Sequence, residues 1–292
     1  MRVNHSRRTE RKSMNVSDEV REGRVTRSGV TSESVDGVLW IVMDNPSKLN
    51  AVDLPMVEEL HSTLLRESVD GAVRVVVLTG AGRAFSSGAN LGTGTVEEVA
   101  AEGDQLVDAV NELIRVLTKL PVPVVAAVNG PAVGVAVSMV LACDLAVAST
   151  SAYFLLPFSS IGLIPDGGAT STIARSIGSA RAAAMMLGGR KVDSVTAESW
   201  GLVAEVAESG DPFERRILDI AQSLVAGPRD ALAATKKALR VAASAELDAA
   251  LGFERTHQAE QLRGPEFAEG LSAFRERRPA RFGGAVIAHN LQ

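Results

Sequence analysis

The chain of 292 residues carries a formal net charge of −5, with 46% hydrophobic and 22% charged side chains, a balance that excludes wholesale disorder and a fibrous architecture. The acidic balance argues against a whole-surface nucleic-acid binder, while leaving room for a local basic patch on a phosphate-bearing ligand. The single cysteine, Cys143, excludes an intrachain disulfide and a cysteine-cluster metal site, and the four histidines show no metal-ligand spacing.

Residues 1–34 are rich in Arg, Ser, Glu and Val and hold no apolar run of the signal-peptide kind. Arg7, Arg8, Arg11 and Lys12 resemble a transit peptide, but Glu10, Asp18, Glu19 and Glu22 make the segment too acidic for one. A flexible leader is expected there, with Met14 as an alternative start. Alternation of elements then begins. GVLWIVMD (Gly37 to Asp44) is β-branched and aromatic, reads as a strand, and is closed by Asn45-Pro46. Pro55 to Arg66 places Met56, Leu60, Thr63 and Leu64 at helical spacing, and VRVVVLTG (Val73 to Gly80) is apolar enough to be a strand buried on both faces.

A Gly/Ser-rich loop, Gly80 to Gly94, precedes an amphipathic helix through Val110, Leu113, Ile114 and Leu117 that Pro121 stops. VPVVAAVNG (Val122 to Gly130) is the next strand, followed by an apolar helix from Val135 to Ala142 and the strand DLAVAS (Asp144 to Ser149). The apolar stretch Val122 to Leu145 is interrupted by Pro123, Asn129, Gly130, Pro131, Gly134 and Asp144, so no membrane span is expected. Helices dominate after Ser171, punctuated by Pro212, Gly227-Pro228 and Gly264-Pro265. The pattern predicts an α/β fold with a leader at 1–34, a core at 35–225 and a helical C-terminal region at 226–292.

The run GAGRAFSSGANLGTG lacks the Gly-Lys-Ser/Thr ending of a phosphate-binding P-loop and departs from the dinucleotide pattern. Its glycines give close backbone access, so the Ala89 amide after Gly88 can face a ligand; a bland surface loop is the competing reading. In NGPAVGVAVSMVLACD the Val135 amide falls in the first turn of the buried helix, where backbone donors are unpaired and the dipole favours negative charge. Tight helix–sheet packing by Ala132, Gly134 and Ala136 explains the same small residues.

Together these segments resemble the crotonase (enoyl-CoA hydratase/isomerase) superfamily over about Val35 to Phe282. WIVMDNPSKLNAV (Trp40 to Val52) is similar to the family's opening, VVVLTGAGRAFSSGANL (Val75 to Leu91) to its first oxyanion loop and VPVVAAVNGPAVG (Val122 to Gly134) to its second. FSSIGLIPDGG (Phe158 to Gly168) and GLSAFRERRPARF (Gly270 to Phe282) follow in order. The resemblance implies a ClpP-like spiral of ββα units with a helical C-terminal trimerisation region, hence a homotrimer or a dimer of trimers. It implies an acyl-CoA thioester as substrate, with coenzyme A part of that substrate, no separate cofactor or metal, and no nucleic-acid or membrane partner. A cytoplasmic location is expected from cysteine usage and the lack of targeting signals.

Carried over by motif position, the Ala89 and Val135 amides would form an oxyanion hole at the thioester carbonyl, with Val135 standing where glycine is common. Lys48, Asn50, Ala51, Ser87, Gly88, Ala89, Leu91, Arg277 and Phe282 would contact the CoA ester, Arg277 at a phosphate. The two glutamates of hydrating members are replaced by Ser138 and Phe158, neither suited to water activation; Ser138 is expected to bond back along its own helix. Asp166, in IGLIPDGG, matches the catalytic aspartate of the 1,2-epoxyphenylacetyl-CoA isomerase type. On local grounds an Asp before Gly-Gly and a helix start is also an N-cap. The favoured expectation is an isomerase moving a double bond from β,γ to α,β with Asp166 as proton shuttle, desolvated by Phe158, Leu156 and Ile164. The alternatives are a hydratase using Asp166 alone and a non-catalytic acyl-CoA-binding protein. The walls expected to set acyl specificity are Leu91 to Glu112 and Leu155 to Ile164.

Overall fold

The computed structural model describes residues 28–68, 71–92, 94–283 and 285–286. A six-stranded sheet forms the centre, in the order β1 (Val30–Val35), β2 (Val38–Met43), β3 (Val75–Gly80), β4 (Val124–Val128), β6 (Leu145–Ser149), β9 (Glu205–Ala207). β1 and β2 make an antiparallel hairpin, and every later pairing in this sheet is parallel. A second sheet of β5 (Ala132–Val133), β7 (Tyr153–Leu155) and β8 (Val192–Asp193) stands beside it, and β10 (Arg281–Phe282) pairs with β11 (Ala285–Val286) near the end of the chain.

Strand β1 corrects the expected domain boundary. Val30 to Ser34 fall within the expected leader, yet Val30 pairs with Met43 and is 1% exposed. The polar VTSES sequence hides a strand because only one of its ends reaches the core. The remaining leader, residues 1–27, lies outside the described residues.

The apolar runs are explained by a sheet covered on both sides. On β3, Val76 and Leu78 face one core with Leu39 and Ile41 of β2, while Val75 and Val77 face the other with Trp40. The first core is closed by α1 (Leu54–Glu67), α2 (Val96–Lys119) and α3 (Val135–Ala142), the second by α7 (Asp211–Ala226) through Phe213, Ile217 and Ile220. Both outer helices start where their caps say they should. Asp53 accepts from the Met56 amide at 3.1 Å, and Thr95 with Glu98 forms a reciprocal capping box on α2.

Helices α4 (Ala169–Ile177), α5 (Ser179–Met186) and α6 (Ser194–Trp200) follow, and the C-terminal region is built by α8 (Arg229–Leu262) and α9 (Pro265–Glu276). α8, of 34 residues, packs on α2, α4 and α9. It is tied down at buried carbonyls: Lys236 Nζ donates to Leu117 and Val122 O, both at 3.0 Å, and pairs with Asp144 at 2.7 Å. Arg255 binds Asp108 and Asp104 of α2. Those anchors fix α8 rigidly beside the site. Among the described residues no helix is long and apolar enough to cross a membrane.

Candidate active site

Two loops meet at a pair of glycines that only glycine can be. A Cβ on Gly88 (φ +85) would stand 2.6 Å from the Val133 carbonyl, while Gly134, where a Cβ would lie 3.9 Å from the Gly88 Cα, is restricted by its positive φ of +59. Each glycine is followed by an amide on the wall of one cavity of about 880 Å³, Ala89 in the first loop and Val135 in the second. Val135 opens α3, so its amide has no intrahelical acceptor. Around Ala89, the Val52 amide donates to Gly88 O and the Asn90 amide to Val52 O, which turns the Ala89 amide away from Val52. The two loops that carry the expected oxyanion donors therefore meet at Gly88 and Gly134.

The first loop is held by Asn50 and Ser86. Asn50, fully buried, donates through Nδ2 to Ala81 O at 2.9 Å and Ala84 O at 2.8 Å, and accepts the Asn45 amide at 2.9 Å. Ser86 donates to Asn50 O at 2.7 Å and accepts the Gly88 amide at 3.1 Å. This corrects the reading of Asn50 as a ligand contact: every polar atom of its amide faces backbone, and it does not line the cavity. Lys48, Ala51, Ser87, Gly88 and Leu91 do line it. Arg277 and Phe282 fall outside the cavity wall.

Most of the rest of the wall is apolar. Val99, Leu106 and Val110 come from α2, Leu155 from the end of β7, Phe158 and Leu163 from the segment after it, and Leu262, Phe267 and Phe274 from the C-terminal helices. Both stretches expected to shape the acyl site contribute. Leu156 and Ile164, expected to desolvate Asp166, are absent from the wall, and Leu156 is instead packed fully in the core.

Asp166 lies on this wall and is 8% exposed. Its Oδ2 accepts from Gln258 Nε2 at 3.1 Å, and its buried Oδ1 has no hydrogen-bond partner. Burial first, then the charge of Glu254, pushes its pKa up to about 7. The N-cap reading of Asp166 is resolved by α8. The N-cap of α4 is Gly168 and has no side-chain cap, because Glu254 reaches in from α8 instead. Glu254 accepts the Gly168 amide at 2.6 Å, the Thr170 amide at 2.9 Å and the Thr170 hydroxyl at 2.6 Å. With the cap supplied from elsewhere, the Asp166 carboxylate is free to face the cavity.

Two other carboxylates touch the cavity. Asp53 is occupied as the cap of α1, and Glu102 is exposed. Phe158 places an apolar ring on the wall, as its residue type predicts. Ser138 requires a correction: its hydroxyl donates to the Asp166 carbonyl at 2.6 Å rather than along its own helix. The close approach of Gly167 to the Ser138 side chain, where a Cβ would come within 2.8 Å, brings that carbonyl into reach. Ser138→Ala is expected to stay folded and to lose less than about tenfold in turnover, since the net value of one hydrogen bond is about 1 kcal/mol and the carboxylate keeps its own partner. Circular dichroism and a kcat measurement check both halves.

Glu254 and Gln258 were not found by reading the sequence. Their only local signal is polar residues four apart, on one face of a long helix. That spacing is ordinary for a solvated face, and nothing local says that this face is buried.

A sequence model of the family described as enoyl-CoA hydratase/isomerase matches residues 33–285. The chain belongs to this family, within the crotonase superfamily. It is 40% identical to a probable enoyl-CoA hydratase of Rhodobacter capsulatus, over 86% of this chain and 96% of that protein. It is 33% identical to the 1,2-epoxyphenylacetyl-CoA isomerase of Escherichia coli, over 87% of this chain and 98% of that one. Among solved structures, an enoyl-CoA hydratase from Mycobacterium avium subsp. paratuberculosis superposes with a TM-score of 0.80 at 38% identity, covering 87% of this chain and 98% of that one. The crotonase fold and the helical C-terminal region expected from the sequence are those of the structure. As a member of the enoyl-CoA hydratase/isomerase family, the enzyme acts on CoA thioesters.

Proposed function

We propose that this crotonase-family enzyme is an acyl-CoA isomerase that converts β,γ-enoyl-CoA to α,β-enoyl-CoA, with Asp166 as its one proton shuttle. The Asp166 carboxylate takes a proton from C2, the C2–H electron pair enters the thioester, and the carbonyl oxygen becomes an enolate oxygen. The amides of Ala89 and Val135 donate to that oxygen, each lowering the barrier by about 3 kcal/mol. Protonated Asp166 then returns the proton to C4, and the electron pair moves back so that the double bond lies between C2 and C3. No water is consumed.

The observation that carries this reading is Asp166 itself, a largely buried carboxyl on a mostly apolar wall, with one oxygen left without a hydrogen-bond partner. A carboxyl whose pKa lies near neutrality is matched to giving and taking one proton at physiological pH. Water addition needs a second group to hold the nucleophile, and Ser138, one candidate, already spends its hydroxyl on the Asp166 carbonyl. The hydratase reading, with Asp166 alone activating water, is favoured by the name of the Rhodobacter capsulatus relative. An assay of purified protein against short, long and aromatic enoyl-CoAs separates the two: the isomerase accumulates conjugated enoyl-CoA, whereas the hydratase accumulates 3-hydroxyacyl-CoA. A protein that binds but converts none of them is the non-catalytic alternative.

The CoA phosphates need cations, and the arginines of the closing segment are not equivalent. Arg275 is spent on the carbonyls of Leu91, Gly92 and Gly94, and Arg278 on Glu269 and Glu276. Exposed Arg277 and, at the mouth, exposed Lys48 are the anchors this reading assigns. Arg277→Ala should raise KM for CoA esters about two- to fivefold, the scale of an exposed ion pair. Truncated pantetheine thioesters should be used equally by both proteins, and added salt should weaken wild-type binding more than that of the variant. Equal KM values for full CoA esters would remove Arg277 from the anchor. Trimer or hexamer assembly and a cytoplasmic location belong to the same proposal, and sedimentation of the purified protein tests the first.

A further inference from the structure

The hydrogen bonds around Asp166 are directional, and α8 supplies the direction. Gln258, 2% exposed, accepts the Ile164 amide through Oε1 at 3.0 Å, which fixes its Nε2 as the atom facing Asp166 Oδ2. An amide nitrogen only donates, so it supports Oδ2 as the better acceptor and favours the proton on the other oxygen. Oδ1 has no such partner. Glu254, one helical turn before Gln258 and fully buried, accepts three hydrogen bonds, whereas the Asp166 side chain accepts one from Gln258. Burial raises the pKa of both carboxyls, but three donors counter it at Glu254 against one from Gln258 at Asp166, so Glu254 is the better placed of the two to carry the negative charge.

We propose that Glu254 and Gln258 of α8 are positioning residues for Asp166, Gln258 directing its proton to Oδ1 and Glu254 supplying the negative charge that holds the proton there. The inference rests on the reading of Asp166 as proton shuttle and names what sets that shuttle. Elements packed round the turn add no competing charge: α2 presents Val110 and α3 presents Ser138 to Gly167, and among the described residues Glu254 is the charged group that acts on Asp166. Lys48 and Glu102 of the cavity wall are both exposed.

The two residues push in opposite directions, which a merely structural role would not do. Removing the donor in Gln258→Leu strips support from the carboxylate and should raise the Asp166 titration midpoint by about one pH unit, while Glu254→Gln removes the charge and should lower it by about one. The measurement is a carbon-13 NMR titration of aspartate-labelled free protein, the Asp166 signal being assigned by its loss in Asp166→Asn. Where Glu254→Gln does not fold, Thr170→Val takes its place. It deletes one donor to Glu254, weakens that anion and should also lower the midpoint. Where Gln258→Leu does not fold, Gln258→Met serves for it. Opposite movements establish the inference, and any other pattern, including no movement, overturns it. The titration needs no substrate: opposite shifts in a protein that isomerises no enoyl-CoA would leave the positioning standing and reject the isomerase reading alone. If isomerisation is present, both variants should lower kcat at unchanged KM and displace the acid limb of the pH profile in the same opposite senses.

Discussion

Asp166→Asn should lower isomerase turnover by at least about a hundredfold, the lower end of what removal of a general base costs, while leaving the affinity for CoA esters close to that of wild type. The amide is of the same size, and its one oxygen can take the place of Asp166 Oδ2 and accept from Gln258 Nε2, so the 3.1 Å contact survives and the cavity keeps its shape. What is lost is the oxygen that can take a proton. The wild-type rate should also carry the signature of this group. The active form is the carboxylate, which is depleted below a pKa of about 7. The rate constant kcat/KM should therefore rise tenfold per pH unit on the acid side and level off above about 7, and the residual rate of Asp166→Asn should lack that limb. Near-wild-type turnover by the variant, measured as appearance of the conjugated thioester, would reject Asp166 as the shuttle.

The same substitution should make the protein more stable, and only at the higher pH. Burial and the neighbouring Glu254 raise the Asp166 carboxyl from 3.8 to about 7, so the folded state binds this proton more tightly than the unfolded chain does. The stabilisation that proton provides is complete below about pH 3.8 and is lost as pH rises through about 7. Above neutrality the native enzyme holds a buried charge at a cost on the order of 4 kcal/mol. The neutral amide of the variant carries no such cost, so the gain of Asp166→Asn over wild type should be near zero at the acid end and grow to a few kcal/mol by pH 8. Thermal or urea unfolding of both proteins at several pH values measures this. A stability difference that stays flat with pH would mean that the carboxyl is not held protonated by the fold. Loss of activity joined to a gain in stability is the expected mark of a site kept strained for chemistry.

Much of this protein is written in local sequence. The alternation of apolar strands with amphipathic helices identified β2, β3, β4 and β6 and the helix Val135–Ala142, because side-chain period and burial are coupled directly. The paired Gly88 and Gly134 were legible too, since both take a positive φ, and a Cβ at Gly88 would also meet a backbone carbonyl at 2.6 Å. The two amides that follow them, and Asp166 itself, were named from the sequence, and all three lie on one cavity wall. Strand β1 was missed because VTSES has too few apolar residues to show a period when a hairpin partner carries most of the burial.

Three decisions belonged to tertiary structure alone. Asn50 turned from ligand contact to internal clamp because its amide meets the carbonyls of Ala81 and Ala84, more than thirty residues along the chain. Ser138 turned from its own helix to the Asp166 carbonyl because Gly167 packs against it. Above all, Asp166 could be a helix cap or a base, and no residue near it in sequence decides between them. Glu254, 84 residues beyond Thr170, supplies the cap to α4, so the aspartate is not needed as one. Local sequence encodes backbone conformation and which face is apolar, since both follow from each residue's own sterics and solvation. It cannot encode which distant polar group satisfies a given donor, because that pairing exists only once the long α8 helix has docked and water has been driven out.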